Sequence, residues 1–288
     1  MRKKIFAACV FCGISFLSFS QDYIPTPEEV DHFYKTKTMV VLSSNPMSEF
    51  NLIARDVMKN HWKLTPYGFC SREEFETLRF DDKYSFILMN PVTFEGDKTN
   101  AKYNFLSLLL GGRERLVSNM PDLCPVPVSY AGVEEESYTY KLGAILRFMQ
   151  NHVEYLHSHP NYIKENVFKR YNENMGDVKE KTLYLLPEEL EKSINTEAKI
   201  KKVYPYAFKL VTKEEIEDAI NRQDESVVFL NKVGPEGTKV DARVYKIIVG
   251  AGDAKFYYFS YHKLSEKQPD AFLLSDLKKL ANAKKKTK

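Results

Sequence analysis

Ser71-Arg72-Glu73-Glu74-Phe75-Glu76-Thr77-Leu78, leading into Ser85-Phe86-Ile87-Leu88-Met89-Asn90, recurs without a gap as Thr212-Lys213-Glu214-Glu215-Ile216-Glu217-Asp218-Ala219, leading into Ser226-Val227-Val228-Phe229-Leu230-Asn231. In both copies a hydroxyl residue stands three places before a glutamate, the pattern of a helix-starting capping box. In both, a continuous apolar run follows, as expected of a strand covered on both faces. A Pro-Tyr-small-Phe sequence precedes each copy, at Pro66 to Phe69 and Pro205 to Phe208. A glycine-ended apolar run follows each, Tyr103 to Gly111 and Ala242 to Gly250. The chain reads as an internal duplication.

Working outward, each half gives the same order of elements. In the first, Thr38 to Leu42 is a β-branched strand, and Phe50, Ile53, Ala54, Val57 and Met58 mark the apolar face of a helix over residues 47 to 61. Lys63 to Phe69 reads as a second strand, with Pro66 pointing to an edge or an irregular pairing. The capped helix, the strand Tyr84 to Met89, the strand Tyr103 to Leu110 and an outer strand Val126 to Tyr130 come next. Leu142, Ile145, Leu146, Met149, Val153 and Leu156 then define an amphipathic helix. In the second half the strands are Thr182 to Leu186, Val203 to Leu210, Val227 to Leu230, Val244 to Val249 and Phe256 to Tyr261. A helix from Pro187 carries Leu190, Ile194 and Ala198, and Leu273, Leu277 and Leu280 line the last helix.

The expected fold is α/β with mixed sheets, in two tandem duplicated domains, each strand-helix-strand-helix-strand-strand-strand-helix. The helix between the first two strands predicts a right-handed parallel crossover, and the short later turns predict antiparallel pairs. In element order such a sheet is similar to thioredoxin-like domains and to the periplasmic strand-helix-strand domains of curli-secretion and related envelope proteins. Order alone implies no activity, and no Cys-x-x-Cys follows the leader. The boundaries are 1–20 for a leader, 21–37 for an N-terminal helical segment, 38–156 and 182–283 for the domains, 157–181 for a connector with helix over 161–172, and 284–288 for a basic tail.

Arg2-Lys3-Lys4, the apolar run Ile5 to Phe19, and Ser18-Phe19-Ser20 before Gln21 are the three parts of a secretory signal peptide. The mature chain is therefore expected to start near Gln21, exported to the periplasm or beyond, with no membrane-spanning segment. Cys9 and Cys12 lie inside the run without the flanks of a lipoprotein signal. The net charge of +3 resides largely in the basic head and tail, so neither a nucleic acid nor an acidic membrane surface is implied as partner. Envelope proteins are the expected partners, and no cofactor is expected.

Three sets of residues are candidates for chemistry or binding. His152, His157 and His159, with Glu154 nearby, form the densest group of potential zinc or copper ligands. Their spacing is not that of His-Glu-x-x-His, and solvated histidines at a helix end are the competing reading. Phe256 to Tyr261 is the densest aromatic run, and strict alternation puts Tyr257, Phe259 and Tyr261 together on one face as a candidate binding surface. Cys70 and Cys124 remain after cleavage, a pair for which a disulfide is permitted and two buried thiols the alternative. The duplicated scaffold with diverged polar residues points to a non-enzymatic secreted or periplasmic envelope protein acting as a binding or assembly module. The alternative is a metal-binding or hydrolytic enzyme with its site between the repeats, where the three histidines and Cys124 are the residues to test.

Overall fold

The computed structural model describes residues 23–94, 101–164, 167–235 and 242–285. The leader and the Gly96-Asp97-Lys98 turn lie outside them, as do parts of the turn after Gly234 and of the basic tail. The first half comprises α1 (Pro27–Phe33), β1 (Lys37–Val41), α2 (Glu49–His61), β2 (Tyr67–Cys70), α3 (Arg72–Leu78), β3 (Tyr84–Val92), β4 (Tyr103–Leu110), β5 (Val126–Tyr130) and α4 (Leu142–Ser158). The second comprises β6 (Thr182–Leu185), α5 (Glu197–Lys201), β7 (Phe208–Leu210), α6 (Lys213–Asn221), β8 (Val227–Val233), β9 (Arg243–Gly250), β10 (Phe256–Lys263) and α7 (Leu274–Asn282).

The caps act as the sequence predicts. Ser71 Oγ accepts from Glu74 N at 3.2 Å while the Glu74 carboxylate accepts from Ser71 N at 2.8 Å, starting α3. Thr212 and Glu215 do the same for α6 at 3.4 and 3.0 Å, and Thr26 and Glu29 for α1 at 3.2 and 2.8 Å. Each box satisfies amides that a helix start otherwise leaves unpaired.

The strands form two five-stranded mixed sheets, ordered β2-β1-β3-β4-β5 and β7-β6-β8-β9-β10. In each, the first three neighbours run parallel and the last two pairs antiparallel. Order and directions are the same, so the duplication seen in sequence is one of topology. Register corrects one detail. Val92 pairs with Tyr103 and Val233 with Tyr245, which makes Tyr103 and Tyr245 equivalent, three residues away from an alignment of the glycine ends. Gly111 lies past the end of β4, whereas Gly250 is the last residue of β9, so the glycines do not mark the same place.

Two further expectations change. Residues 187–198 are not one helix: Pro187–Glu189 makes a single 3₁₀ turn, and α5 forms only over 197–201. Between them the backbone is engaged elsewhere, with Glu191 N donating to Phe272 O at 3.0 Å and Phe272 N to Glu189 O at 2.8 Å. The connector runs as 3₁₀ turns over Val167–Glu180 along β10. There Asn172 accepts from Phe259 N at 2.7 Å and donates to Phe259 O at 3.0 Å, and Asn174 donates to Phe256 O at 2.9 Å. Asparagine amides thus close a sheet edge that would otherwise offer unpaired backbone groups.

One core joins the halves. On the first sheet, Val40, Ile87, Leu106 and Leu108 pack under α2 and α4, in the same cluster as Ile216 of α6 and Val227, Phe229 and Ile247 of the second sheet. The opposite faces have clusters of their own, Phe86 and Leu88 under Phe75 of α3, and Leu183, Val228 and Ile248 under Leu277 of α7. Phe75 and Phe86 are therefore in an outer cluster while their equivalents Ile216 and Val227 are in the shared one. The halves stack in series rather than about a two-fold axis, since a two-fold would give equivalent residues equivalent surroundings. Helix α4 ties them: Arg147 donates to Ala251 O at 2.6 Å and Gly252 O at 2.8 Å, and Phe148 stacks on Phe256 at 3.4 Å. Among the described residues no helix is long and apolar enough to cross a membrane.

Candidate cleft between the repeats

Beyond the stretch that α3 covers, β3 and β4 continue with Asn90, Val92, Phe105 and Ser107 on the same face, by the two-residue period of strands. Arg243 and Tyr245 of β9 and Phe259 and Tyr261 of β10 approach this face and close a cleft of about 120 Å³. The strand ends are pinned across the junction, because Tyr103 OH donates to Arg243 O and accepts from Arg243 N, both at 2.8 Å.

The walls are aromatic. Tyr245 meets Phe105 edge-on at 5.8 Å between centroids and lies 5.7 Å from Tyr261, while Phe94 is 6.1 Å from Phe105. Phe168 from the connector adds a ring 5.4 Å from Phe259. At the mouth the Arg243 guanidinium lies 3.8 Å from the Phe94 centroid and 5.3 Å from that of Tyr261, a cation on ring faces. Lys164, Tyr23 and Ile24 are exposed beside it.

The deeper polar groups are Asn90, Ser107 and Asp122. Asp122 Oδ1 accepts from Leu108 N at 3.2 Å and Cys124 N at 3.1 Å. Burial pushes its carboxyl up to about 7 even though these amides and the Ser107 hydroxyl favour the charged form. Asn90 is only 9% exposed, and its side chain has no hydrogen-bond partner among the described residues. Apolar walls with a few convergent polar groups at a domain junction are the make-up of a ligand site.

The residues singled out from sequence are distributed unevenly. Phe259 and Tyr261 line the cleft, but Tyr257 does not. A bulge between Phe256 and Tyr258 breaks the alternation and turns Tyr257 into the cluster under α7, where its hydroxyl donates to Asp253. The three histidines do not converge. His152 is fully buried with Nδ1 2.7 Å from Tyr171 OH, and burial lowers its pKa to about 3, so it is neutral. His157 lies 3.4 Å from Asp31, and His159 stacks on Tyr155 at 4.2 Å. Among the described residues no group of three His, Cys, Asp or Glu side chains is placed to hold a metal. Cys70 and Cys124 are free thiols, one in the cluster under α3 and the other in the shared core, so the permitted disulfide is not formed. Burial raises the pKa of the Cys124 thiol well above its ordinary value, and a buried protonated thiol is a poor nucleophile.

Sequence reading passed over Asn90, Phe105, Ser107, Asp122, Arg243 and Tyr245. One signal was available for Asn90, which closes the first copy of the duplicated stretch as Asn231 closes the second. No family model, curated protein or solved structure matches this chain.

Proposed function

We propose that the chain is an exported, non-enzymatic protein of the cell envelope that binds another envelope component in the cleft between its repeats. The observation that carries this reading is the aromatic cleft itself, built from both repeats. The basic head, apolar run and Ser18-Phe19-Ser20 supply the export address.

The test is recovery of the tagged protein from its native envelope after mild cross-linking, beside a Tyr261→Glu variant. Tyr261 is 40% exposed at the mouth, so a charge there alters the cleft without disturbing the core. A mature N-terminus at Gln21 and a partner recovered near one-to-one with the unaltered protein and lost with the variant support the reading. A protein that keeps its leader, or is recovered alone while turning over a small substrate, refutes it.

A further inference from the structure

The duplicated stretch ends in asparagine in both halves, and strand register puts the two residues at the same site. Asn90 of β3 lies opposite Phe105 of β4, and Asn231 of β8 lies opposite Ile247 of β9. By strand alternation both side chains stand on the face that carries the capped helix, with Phe86 and Leu88 in one half and Val227 and Phe229 in the other.

In the second half this position has an occupant. Asn231 is fully buried, and its Nδ2 donates to Pro127 O at 3.2 Å. Pro127 belongs to β5, the edge strand of the first sheet, within the extended run Pro125-Val126-Pro127-Val128. A carbonyl of that edge strand thereby accepts from an amide standing on the face of the next sheet. In the first half the equivalent amide faces the cleft, nine-tenths buried and without a side-chain partner among the described residues. The amide has no side-chain partner to give up, and a carbonyl brought to it would pair a donor that otherwise only solvent entering the cleft can reach.

We infer that the cleft takes an extended, proline-bearing apolar peptide from a partner protein, with Asn90 donating to one of its carbonyls as Asn231 donates to Pro127. This rests on the reading of the cleft as the binding site. The aromatic walls suit the occupant: proline-containing segments dock in aromatic-lined grooves because their backbone is already extended, so little chain entropy is lost on binding. Phe105, Tyr245 and Tyr261 line the same cleft as Asn90.

The experiment titrates acetyl-Pro-Val-Pro-Val-amide, the sequence of residues 125–128, into isotopically labelled protein and into Asn90→Asp, which keeps the size of the side chain and removes its donor. The apolar dye anilinonaphthalene sulfonate is titrated in parallel. The expected result is movement of the Asn90 side-chain amide resonance together with cleft resonances, and affinity at least about fivefold weaker in the variant, the effect of one hydrogen bond. Equal affinity for both proteins overturns the inference at its central contact. Dye binding that moves cleft resonances, with no response to the peptide, overturns the peptide class while leaving the cleft as the binding site. Response to neither ligand overturns both.

Discussion

Asp276→Ala should be among the most destabilising single substitutions in the second half. Lys246 is 2% exposed, and its ammonium lies 2.7 Å from Asp276 Oδ2. The same carboxylate accepts from Tyr258 OH at 2.6 Å and from Leu273 N at 3.1 Å, where α7 begins. Burial lowers the Lys246 pKa, and the Asp276 charge is what opposes the shift. Alanine would leave one buried cation and two neutral donors unpaired, which costs about 3–5 kcal/mol, a large part of the roughly 5–15 kcal/mol that holds a typical domain together. Removing both charges in Lys246→Met/Asp276→Leu should recover part of that loss, because no buried cation is then left uncompensated, while the Tyr258 hydroxyl and the Leu273 amide stay without their acceptor. The assay is urea unfolding of the parent, Asp276→Ala, Lys246→Met, Asp276→Leu and the double variant, followed by far-ultraviolet circular dichroism and by the fluorescence of Trp62. The two signals should coincide, since Trp62 and Phe229 belong to the one shared core. A loss under about 1 kcal/mol for Asp276→Ala, or additive effects in the double variant, would refute the reasoning.

Asn231→Ala should cost about 1–3 kcal/mol by orphaning the Pro127 carbonyl at the junction, whereas Asn90→Ala should leave stability within about 0.5 kcal/mol of the parent; equal losses by urea titration would argue against the different roles assigned to the two residues. Burial pushes the Asp122 carboxyl up to about 7 and that of Glu189 also upward. The folded chain therefore holds more protons than the unfolded one from about pH 4 to 7, and this contribution to stability is present below that window and lost as pH rises through it. Asp122→Asn should accordingly gain in Tm relative to the parent between pH 4 and pH 8, and a difference that does not change with pH would count against the raised value. Cys70 and Cys124, both free and buried, should resist a water-soluble thiol reagent in native protein and react once guanidinium unfolds it; immediate reaction in the native state would contradict their burial.

Much of the fold is local and was legible as such. Ser71, Thr212 and Thr26 cap helices through contacts three residues away, and the amphipathic run from Leu142 forms its helix, because these signals need no distant partner. Expectations changed where distant partners intervened. Glu191 pairs its backbone with Phe272 instead of continuing a helix, and the bulge in β10 sends Tyr257 to one face and Phe259 to the other. The site was the least legible part. Phe259 and Tyr261 announced themselves by aromatic density, but Asp122 and Arg243 sit in segments whose composition resembles any polar turn or strand end.

The chain's own pattern determined the duplication, the element order, the caps and the apolar strands, because periodicity and short-range hydrogen bonding act within a few residues. Only the tertiary structure decided which sheet faces share a core, and that decision made two equivalent asparagines different. Asn231 meets the edge strand of the first repeat, while Asn90 faces the cleft. Serial stacking gives equivalent local patterns different neighbours, and neighbours from distant segments are what a linear pattern does not contain.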